Sequence, residues 1–214
     1  WRGLGYNRRA LALRAAARAV IEHHGGSFPW EPRELLALPG VGPYTAAALR
    51  AFVRDEPVAV LDTNIARVVA RFVLGAPSHR DIPAARLKAA AAALVPPVGA
   101  RDHNLALMDL GALVCTAGNP ACGGCPLAPA CTWRAVGCLP PGASARRPAV
   151  RFEATARFAR GRLVDRLRSG PADEAELAAI LPEPHRPRLA EYLAALEAEG
   201  LVAATGGGLW ALPV

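Results

Sequence analysis

The sequence predicts an all-α domain followed by a smaller α+β domain at the C-terminal end. The first observation is helical periodicity, with no strand alternation before residue 200. The second is a Pro- and Gly-rich stretch over residues 140–148, where the composition of the chain changes. The third is size, because 214 residues with 52% apolar content can bury one large core or two smaller ones.

The chain begins with a segment of strong helix propensity. Residues 7–24 are rich in Ala, Leu and Arg and contain no Pro or Gly, and Gly25 and Gly26 then end the predicted helix. A short helix over Glu31–Leu38 follows. It leads directly into the next turn.

A Gly-x-Gly turn between two helical segments is the feature around which the domain is organised. Two glycines one residue apart permit positive φ, and the helix after them exposes free amides at its start. Such a helix end can hold a nucleic-acid phosphate without reading a base. The alternative is a plain tight turn between helices. The turn and the start of the helix comprise Leu38, Pro39, Gly40, Val41, Gly42, Pro43, Tyr44 and Thr45.

An amphipathic helix is predicted directly after Asp62. Apolar residues recur with helical spacing between Ile65 and Val73, and Arg67 and Arg71 fall on its other, polar side. Asp62 could simply cap this helix. Two further helices are expected over residues 83–94 and 104–114, the second of them buried.

Four cysteines form a compact set before the composition changes. Their spacing, with six, two and five residues between successive members, differs from the two Cys-x-x-Cys pairs of usual zinc sites. Four thiolates in such a loop can wrap a [4Fe-4S] cluster, which suits a reducing compartment. Cys138 lies outside this pattern and is interpreted as a free thiol. The set is Cys115, Cys122, Cys125 and Cys131.

The charge balance favours a polyanionic partner. The formal net charge is +7, although a solvated charged face would also explain it. No apolar run approaches the roughly 20 residues of a membrane span, and no signal-peptide pattern opens the chain. We therefore expect a cytoplasmic protein that does not contact a membrane.

In combination, the glycine turn, the segment Leu61–Asn64 and the cysteine set resemble one family. They are similar to the helix-hairpin-helix DNA glycosylases with an iron-sulfur cluster, in the endonuclease III superfamily, and within these to MutY-type adenine glycosylases. The segments Trp1–Tyr6 and Met108–Ala112 add to the resemblance, which covers roughly residues 1–133. It implies a [4Fe-4S] cluster on the four cysteines and DNA contacts from Leu38–Val41, Gly42 and Thr45.

The resemblance also implies the catalytic residues. Asp62 matches the carboxylate that stabilises the cation-like sugar, Asn64 is a nearby polar partner, and Tyr44 supplies a hydroxyl. In strand-cleaving relatives the Tyr44 position holds a Lys that attacks the sugar. The only lysine of this chain, Lys88, lies in another predicted helix. A monofunctional glycosylase is therefore expected.

The general-acid glutamate of the family has no match in this sequence. Its position precedes the equivalent of Trp1, and the chain has no initiating Met. We therefore expect that N-terminal sequence is missing and that the chain as given is severely impaired.

The C-terminal segment predicts three helices and a hairpin. The helices lie around Gly161–Arg168, Ala172–Leu181 and Arg186–Glu199, and two short strands surround Gly206–Gly208. This order predicts a winged-helix-like domain; the alternative is an appended bundle with no role in nucleic-acid binding. The predicted organisation is a glycosylase domain over 1–139, N-terminally incomplete, a linker over 140–150 and the winged-helix-like domain over 151–214.

The predicted function is base excision repair by a monomeric glycosylase, in a bacterial cytoplasm and associated with the nucleoid. The enzyme would flip adenine mispaired with 8-oxoguanine or guanine out of double-stranded DNA and hydrolyse its N-glycosidic bond. Two alternatives remain: a thymine or uracil mismatch glycosylase, and a non-catalytic iron-sulfur DNA-binding protein.

Overall fold

A computed structural model describes residues 6–138 and 150–213 of the chain. By internal contacts the chain divides into two compact units, one of residues 27–146 and one that combines residues 1–26 with 147–214. All of the predicted linker except Val150 lies outside the described residues, as do residues 1–5 of the family resemblance. The predicted domain boundaries stay a prediction.

The described residues are mainly helical, as the sequence predicts. Ten α-helices and three short strands are labelled in chain order. The helices are α1 (Asn7–His24), α2 (Pro32–Ala37), α3 (Pro43–Arg54), α4 (Thr63–Phe72), α5 (Ala84–Leu94), α6 (Ala100–Asp109), α7 (Thr132–Ala135), α8 (Ala156–Leu167), α9 (Glu174–Ala179) and α10 (Leu189–Ala198); the strands are β1 (Ala172–Asp173), β2 (Ala203–Thr205) and β3 (Leu209–Ala211).

Helix α4 forms the centre of the unit of residues 27–146. Its buried face packs against α5, α6 and α7. Many of the core residues are Ala or Val, which lets the helices approach one another closely. The buried core consists of Ala51, Val60, Ile65, Ala66, Val69, Ala70, Leu87 and Ala91.

A buried amide positions the chain just before α4. The Asn104 side chain is 1% exposed; it donates to the carbonyl oxygens of Val58 (3.0 Å) and Ala100 (2.7 Å). Its Oδ1 accepts from the amide of Val60 at 2.9 Å. Because buried polar groups need hydrogen-bond partners, this single side chain fixes residues 58–60, the irregular segment that leads to Asp62.

Two helix predictions need correction in this unit. The helix expected over residues 104–114 begins earlier, at Ala100, and its last turn, Leu110–Val114, is π-helical. The expectation that it is buried is wrong, because only Asn104 and Gly111 of that range are buried. The arginines of α4 do not lie on a solvated polar face: Arg71 is only 3% exposed and Arg67 is half-buried. Their guanidinium groups bind carbonyl oxygens of the segment that follows α6, which helical periodicity does not reveal.

The C-terminal part contains α8, α9, α10 and a three-stranded antiparallel sheet of order β1-β3-β2. The hairpin predicted around Gly206–Gly208 is confirmed, with Ala204 opposite Trp210. The expectation of no strand before residue 200 is wrong, because Ala172 and Asp173 pair with β3. Helix α9 therefore starts at Glu174, where Asp173 and Glu176 form a capping box.

The core of this part is rich in leucine. Its buried residues include Leu163, Leu177, Leu193 and Leu196, together with Tyr192. The winged-helix assignment itself stays a prediction. In the part of the chain that the structure describes, no helix is both long and apolar enough to span a membrane.

Candidate active site and cysteine cavity

The Gly-x-Gly turn connects α2 to α3, as predicted. The Val41 amide donates to the Leu38 carbonyl oxygen at 3.1 Å, and Gly40 has a φ of +77°, which favours glycine. Gly42 is extended and precedes Pro43, the first residue of α3. A Cβ added to Gly42 would meet no atom within 4 Å, so the surface at this helix start is open.

The residues of the turn differ in how a ligand could reach them. Leu38 is 4% exposed and belongs to the core, so only its backbone takes part in the turn. Pro39 and Gly40 are exposed, while Val41 and Thr45 are half-buried. A partner at this surface would therefore meet the Pro39–Gly42 backbone and the first amides of α3.

Asp62 caps α4. Its Oδ1 accepts from the Ile65 amide at 2.6 Å, which confirms that Asp62 is the N-cap of this helix. Capping uses one carboxylate oxygen and orients the other. The side chain is half-buried, which leaves it accessible at the start of the helix.

Arg67 joins Asn64 to the segment after α6. Its Nη2 donates to Asn64 Oδ1 at 2.9 Å and to the Gly111 carbonyl oxygen at 2.5 Å, and its Nε donates to the Cys115 carbonyl oxygen at 2.7 Å. Burial lowers the pKa of the Arg67 guanidinium, an effect that the nearby Cys115 and Asp62 oppose and Arg71 reinforces. The sequence analysis missed this connection.

Gly111 allows the close approach of these two segments. A Cβ at this position would lie 2.7 Å from Asn64 Cβ and 2.9 Å from the Asn64 carbonyl oxygen. Real Cβ atoms do not approach that closely, so any side chain here would displace the first turn of α4.

Tyr44 lies apart from this network. It belongs to the first turn of α3, its side chain is 46% exposed, and no hydrogen bond of its hydroxyl occurs among the described residues. The structure thus brings Asp62 and Asn64 together at the start of α4, and among the described residues no hydrogen bond joins either of them to Tyr44.

All four cysteines of the predicted set line one cavity. Its wall also contains apolar side chains, among them Val68, Leu110 and Leu127, and the guanidinium-bearing Arg71. Among residues 6–138 and 150–213, no three His, Cys, Asp or Glu side chains are arranged to hold a metal ion. A [4Fe-4S] cluster is held by four cysteine thiolates. Four convergent thiols fit the donor set of such a cluster.

Cys138 lies close to this set rather than apart from it. The pKa of the Cys122 thiol is raised, first by burial and then by its neighbour Cys138, with smaller contributions from Cys115 and Cys125. None of the five cysteines forms a disulfide.

Comparison with curated proteins gives relatives over the whole chain. The sequence is 42% identical to an adenine DNA glycosylase of Mycolicibacterium smegmatis over 99% of this chain and 71% of the relative. The human adenine DNA glycosylase is 40% identical over 63% of this chain and 25% of its own length. A thymine/uracil-DNA glycosylase of Methanothermobacter thermautotrophicus is 36% identical over 59% of this chain and 58% of the relative.

Solved structures with a similar helical arrangement match a smaller part of this chain than the curated relative from Mycolicibacterium smegmatis does. A thermostable thymine-DNA glycosylase superposes with a TM-score of 0.56 and 35% identity, over 63% of this chain and 61% of that one. A non-covalent complex of endonuclease III with DNA gives a TM-score of 0.51 and 27% identity, over 61% of this chain and 59% of that one. The chain thus spans about three-fifths of these structures. No protein-family model matches it.

Proposed function

Because the chain belongs to the adenine DNA glycosylase family, whose members are hydrolases of N-glycosyl bonds in DNA, we propose that it excises adenine mispaired with 8-oxoguanine or guanine. Likeness to the Mycolicibacterium smegmatis relative over nearly the whole chain supports this proposal. DNA is the partner; the mispaired base as target, the monomeric state and the association with the nucleoid stay predictions.

The placement of Asp62 is the observation that carries the proposal. Breaking an N-glycosidic bond leaves positive charge on the sugar, and a carboxylate beneath the sugar stabilises that charge. The Ile65 amide holds Oδ1 of Asp62 and so orients Oδ2, which forms no hydrogen bond among the described residues and would face a flipped nucleotide at the start of α4. Asn64, held by Arg67, would position the sugar or the attacking water.

The reaction would end at base removal. Strand cleavage through a Schiff base needs an amine at the site, and position 44 is a tyrosine, while the only lysine, Lys88, belongs to α5. The Tyr44 hydroxyl can contribute a hydrogen bond to the nucleotide once DNA brings it close. Water would then be the nucleophile, and the enzyme monofunctional.

The turn between α2 and α3 would anchor the DNA backbone. Free amides at the start of α3 and the open surface at Gly42 suit a phosphate, and the dipole of a 12-residue helix favours its charge. Contacts of this kind position the duplex and carry no base preference. The proposed phosphate site comprises Pro39, Gly40, Val41, Gly42 and Thr45, with Leu38 contributing only its backbone.

The four cysteines would hold a [4Fe-4S] cluster. Bound there, the cluster would cross-link the segment from Cys115 to Cys131 and so shape the protein next to α4. Hydrolysis of the N-glycosidic bond requires no electron transfer. We therefore propose a structural role for the cluster.

Base release from defined duplexes tests the proposed function. The natural polypeptide that contains this sequence is incubated with duplexes carrying adenine opposite 8-oxoguanine, adenine opposite guanine, and thymine opposite guanine. We expect adenine release that Asp62→Asn reduces by at least 100-fold while duplex binding persists. Asn keeps the cap of α4, so the variant changes the charge and not the helix.

The other outcomes identify the alternatives. Release of thymine alone would replace the proposal by a thymine or uracil mismatch glycosylase, the activity named for the Methanothermobacter relative. Binding without release from any duplex would favour a non-catalytic DNA-binding protein.

A further inference from the structure

Arg71, on the last turn of α4, is a buried cation that pairs with no carboxylate among the described residues. Its residue surface is 3% exposed, and none of the ion pairs found within residues 6–138 and 150–213 includes it. Burying a charge that is not compensated by an opposite charge is costly, so buried arginines are normally paired. The structure must therefore provide another explanation for this residue.

Carbonyl oxygens satisfy most of the hydrogen-bond donors of Arg71. Its Nε donates to Pro77 at 3.0 Å, its Nη1 to Thr116 at 2.8 Å and its Nη2 to Ala117 at 3.3 Å. The guanidinium also lies over the ring of Trp133, 4.4 Å from the ring centroid. These contacts fix the position of the guanidinium, but neutral groups do not cancel its charge.

Two cysteines of the proposed cluster site also contact Arg71. Its Nη1 donates to the Sγ of Cys115 at 3.4 Å, and the Cys131 thiol donates to the Arg71 carbonyl oxygen at 3.8 Å. Arg71 also forms part of the wall of the cavity that all four cysteines line. The buried positive charge thus faces the one place in this unit where several anionic sulfurs would gather.

We propose that Arg71 is the counter-cation of the metal-thiolate group in this cavity. Four thiolates bring more negative charge than the core of a [4Fe-4S] cluster neutralises, and a fixed cation in a region of low dielectric stabilises that excess. This inference rests on the cluster proposed above. It assigns to Arg71 an electrostatic role toward the cluster in addition to its hydrogen bonds with the loop.

A purely structural role would have different consequences. If Arg71 served only to connect α4 to the carbonyl groups of residues 77, 116 and 117, lysine and methionine would each lose most of these contacts and destabilise the protein similarly. If its charge matters, lysine should preserve a property of the cluster that methionine changes. The reduction potential is such a property, because removing a nearby positive charge makes the addition of an electron less favourable.

The experiment compares Arg71→Lys, Arg71→Met and the control Arg50→Met in protein purified with its cluster. Arg50 is a half-buried arginine of α3 that is paired with Glu56, so its loss removes a guanidinium without touching the cysteines. Iron and sulfide per chain, the reduction potential of the cluster, its loss rate under ferricyanide and the melting temperature are measured. None of these readouts depends on base release.

We expect Arg71→Met to shift the reduction potential to more negative values and to lose its cluster to ferricyanide several-fold faster than the wild type. Arg71→Lys should retain a potential close to wild type despite a lowered melting temperature, and Arg50→Met should match the wild type in iron and potential. Equal potentials for all four proteins would overturn the inference and leave the proposed glycosylase activity intact.

Two further outcomes would also count against it. If the wild-type protein binds no iron or sulfide, there is no anionic cluster whose charge Arg71 could balance, whatever the activity of the protein on DNA. If Arg71→Met fails to fold, the Arg71→Lys variant decides. A reduction potential of Arg71→Lys that differs from the wild type as much as that of a cluster in unfolded or solvent-opened protein would overturn the electrostatic role.

Discussion

The two compact parts of the molecule differ in how they use buried polar side chains. In the unit of residues 27–146, Asn104 and Arg71 are buried, and each binds backbone groups of distant, irregular segments. In the C-terminal part, the buried polar residue His185 bonds Tyr192 at 2.9 Å and the Glu153 carbonyl oxygen at 2.8 Å, within a core of leucines. In the first unit, buried polar side chains thus fix several irregular segments near the candidate site, whereas the C-terminal part buries one such side chain in a core made mostly of leucines.

Replacing the buried amide of Asn104 is expected to give the largest loss of stability. Asn104→Ala would leave the Val60 amide and the Val58 carbonyl oxygen without their buried partner, and such groups cost about 1 to 3 kcal/mol each. We expect a loss of about 4 kcal/mol in the free energy of unfolding of this unit, measured by urea denaturation. Base release should fall too, because Val60 leads directly to Asp62.

Asn119→Ala is the matched control, since Asn119 is exposed and, among the described residues, only its backbone carbonyl takes part in a hydrogen bond. Its unfolding free energy should stay within about 0.5 kcal/mol of wild type. Equal losses for the two variants would show that the buried amide has no special part in fixing the segment before α4.

The counterpart in the C-terminal part is Leu196→Ala. Leu196 of α10 is fully buried, and truncation of such a leucine costs about 3 kcal/mol through lost packing and the cavity left behind. Hydrogen exchange should report faster opening of α8 and α10 with base release largely retained. Leu209→Ala, at an exposed position of β3, is the control; a base-release defect specific to Leu196→Ala would contradict the separation of the two parts.

Local sequence signals could predict three features: helix propensity predicts α1, the Gly-x-Gly pattern predicts the α2-α3 turn, and helical periodicity predicts α4. It could not predict the burial of Arg71, whose partners at Thr116 and Ala117 lie more than forty residues later in the chain. The start of α9 was predictable: Asp173 and Glu176 have the spacing of a capping box, a signal that the sequence analysis did not use. Local signals thus suffice for elements, while the contacts that shape the candidate site depend on the fold.

Gly111→Ala tests how tightly the two sides of the candidate site pack. The added methyl group would overlap Asn64, and relief requires a shift of the first turn of α4, which carries Asp62 at its cap. We expect the rate of base release to fall about tenfold, which corresponds to about 1.4 kcal/mol in the activation free energy. Iron content should stay near wild type, because the cysteines keep their positions.

Gly118→Ala provides the comparison for this variant. A Cβ at Gly118 meets no atom within 4 Å, and its φ is not in the left-handed region, so the methyl group is tolerated. A similar rate for Gly111→Ala and Gly118→Ala in single-turnover assays would mean that the close contact with Asn64 does not position the reacting groups.

The smallest effect concerns two aspartates with the same local geometry in the two parts. Asp173 accepts from the Glu176 amide at 2.8 Å and Asp62 from the Ile65 amide at 2.6 Å, each as the N-cap of a helix. Asp173→Ala should cost about 1 kcal/mol, and Asp173→Asn much less, because Asn caps nearly as well. Asp62→Asn should be equally mild for stability, measured by urea denaturation, yet reduce base release at least 100-fold.

If Asp62→Asn instead destabilised the protein by several kcal/mol, its loss of activity would reflect unfolding. Equal and small stability changes at both caps would assign the loss of activity to the carboxylate charge at Asp62.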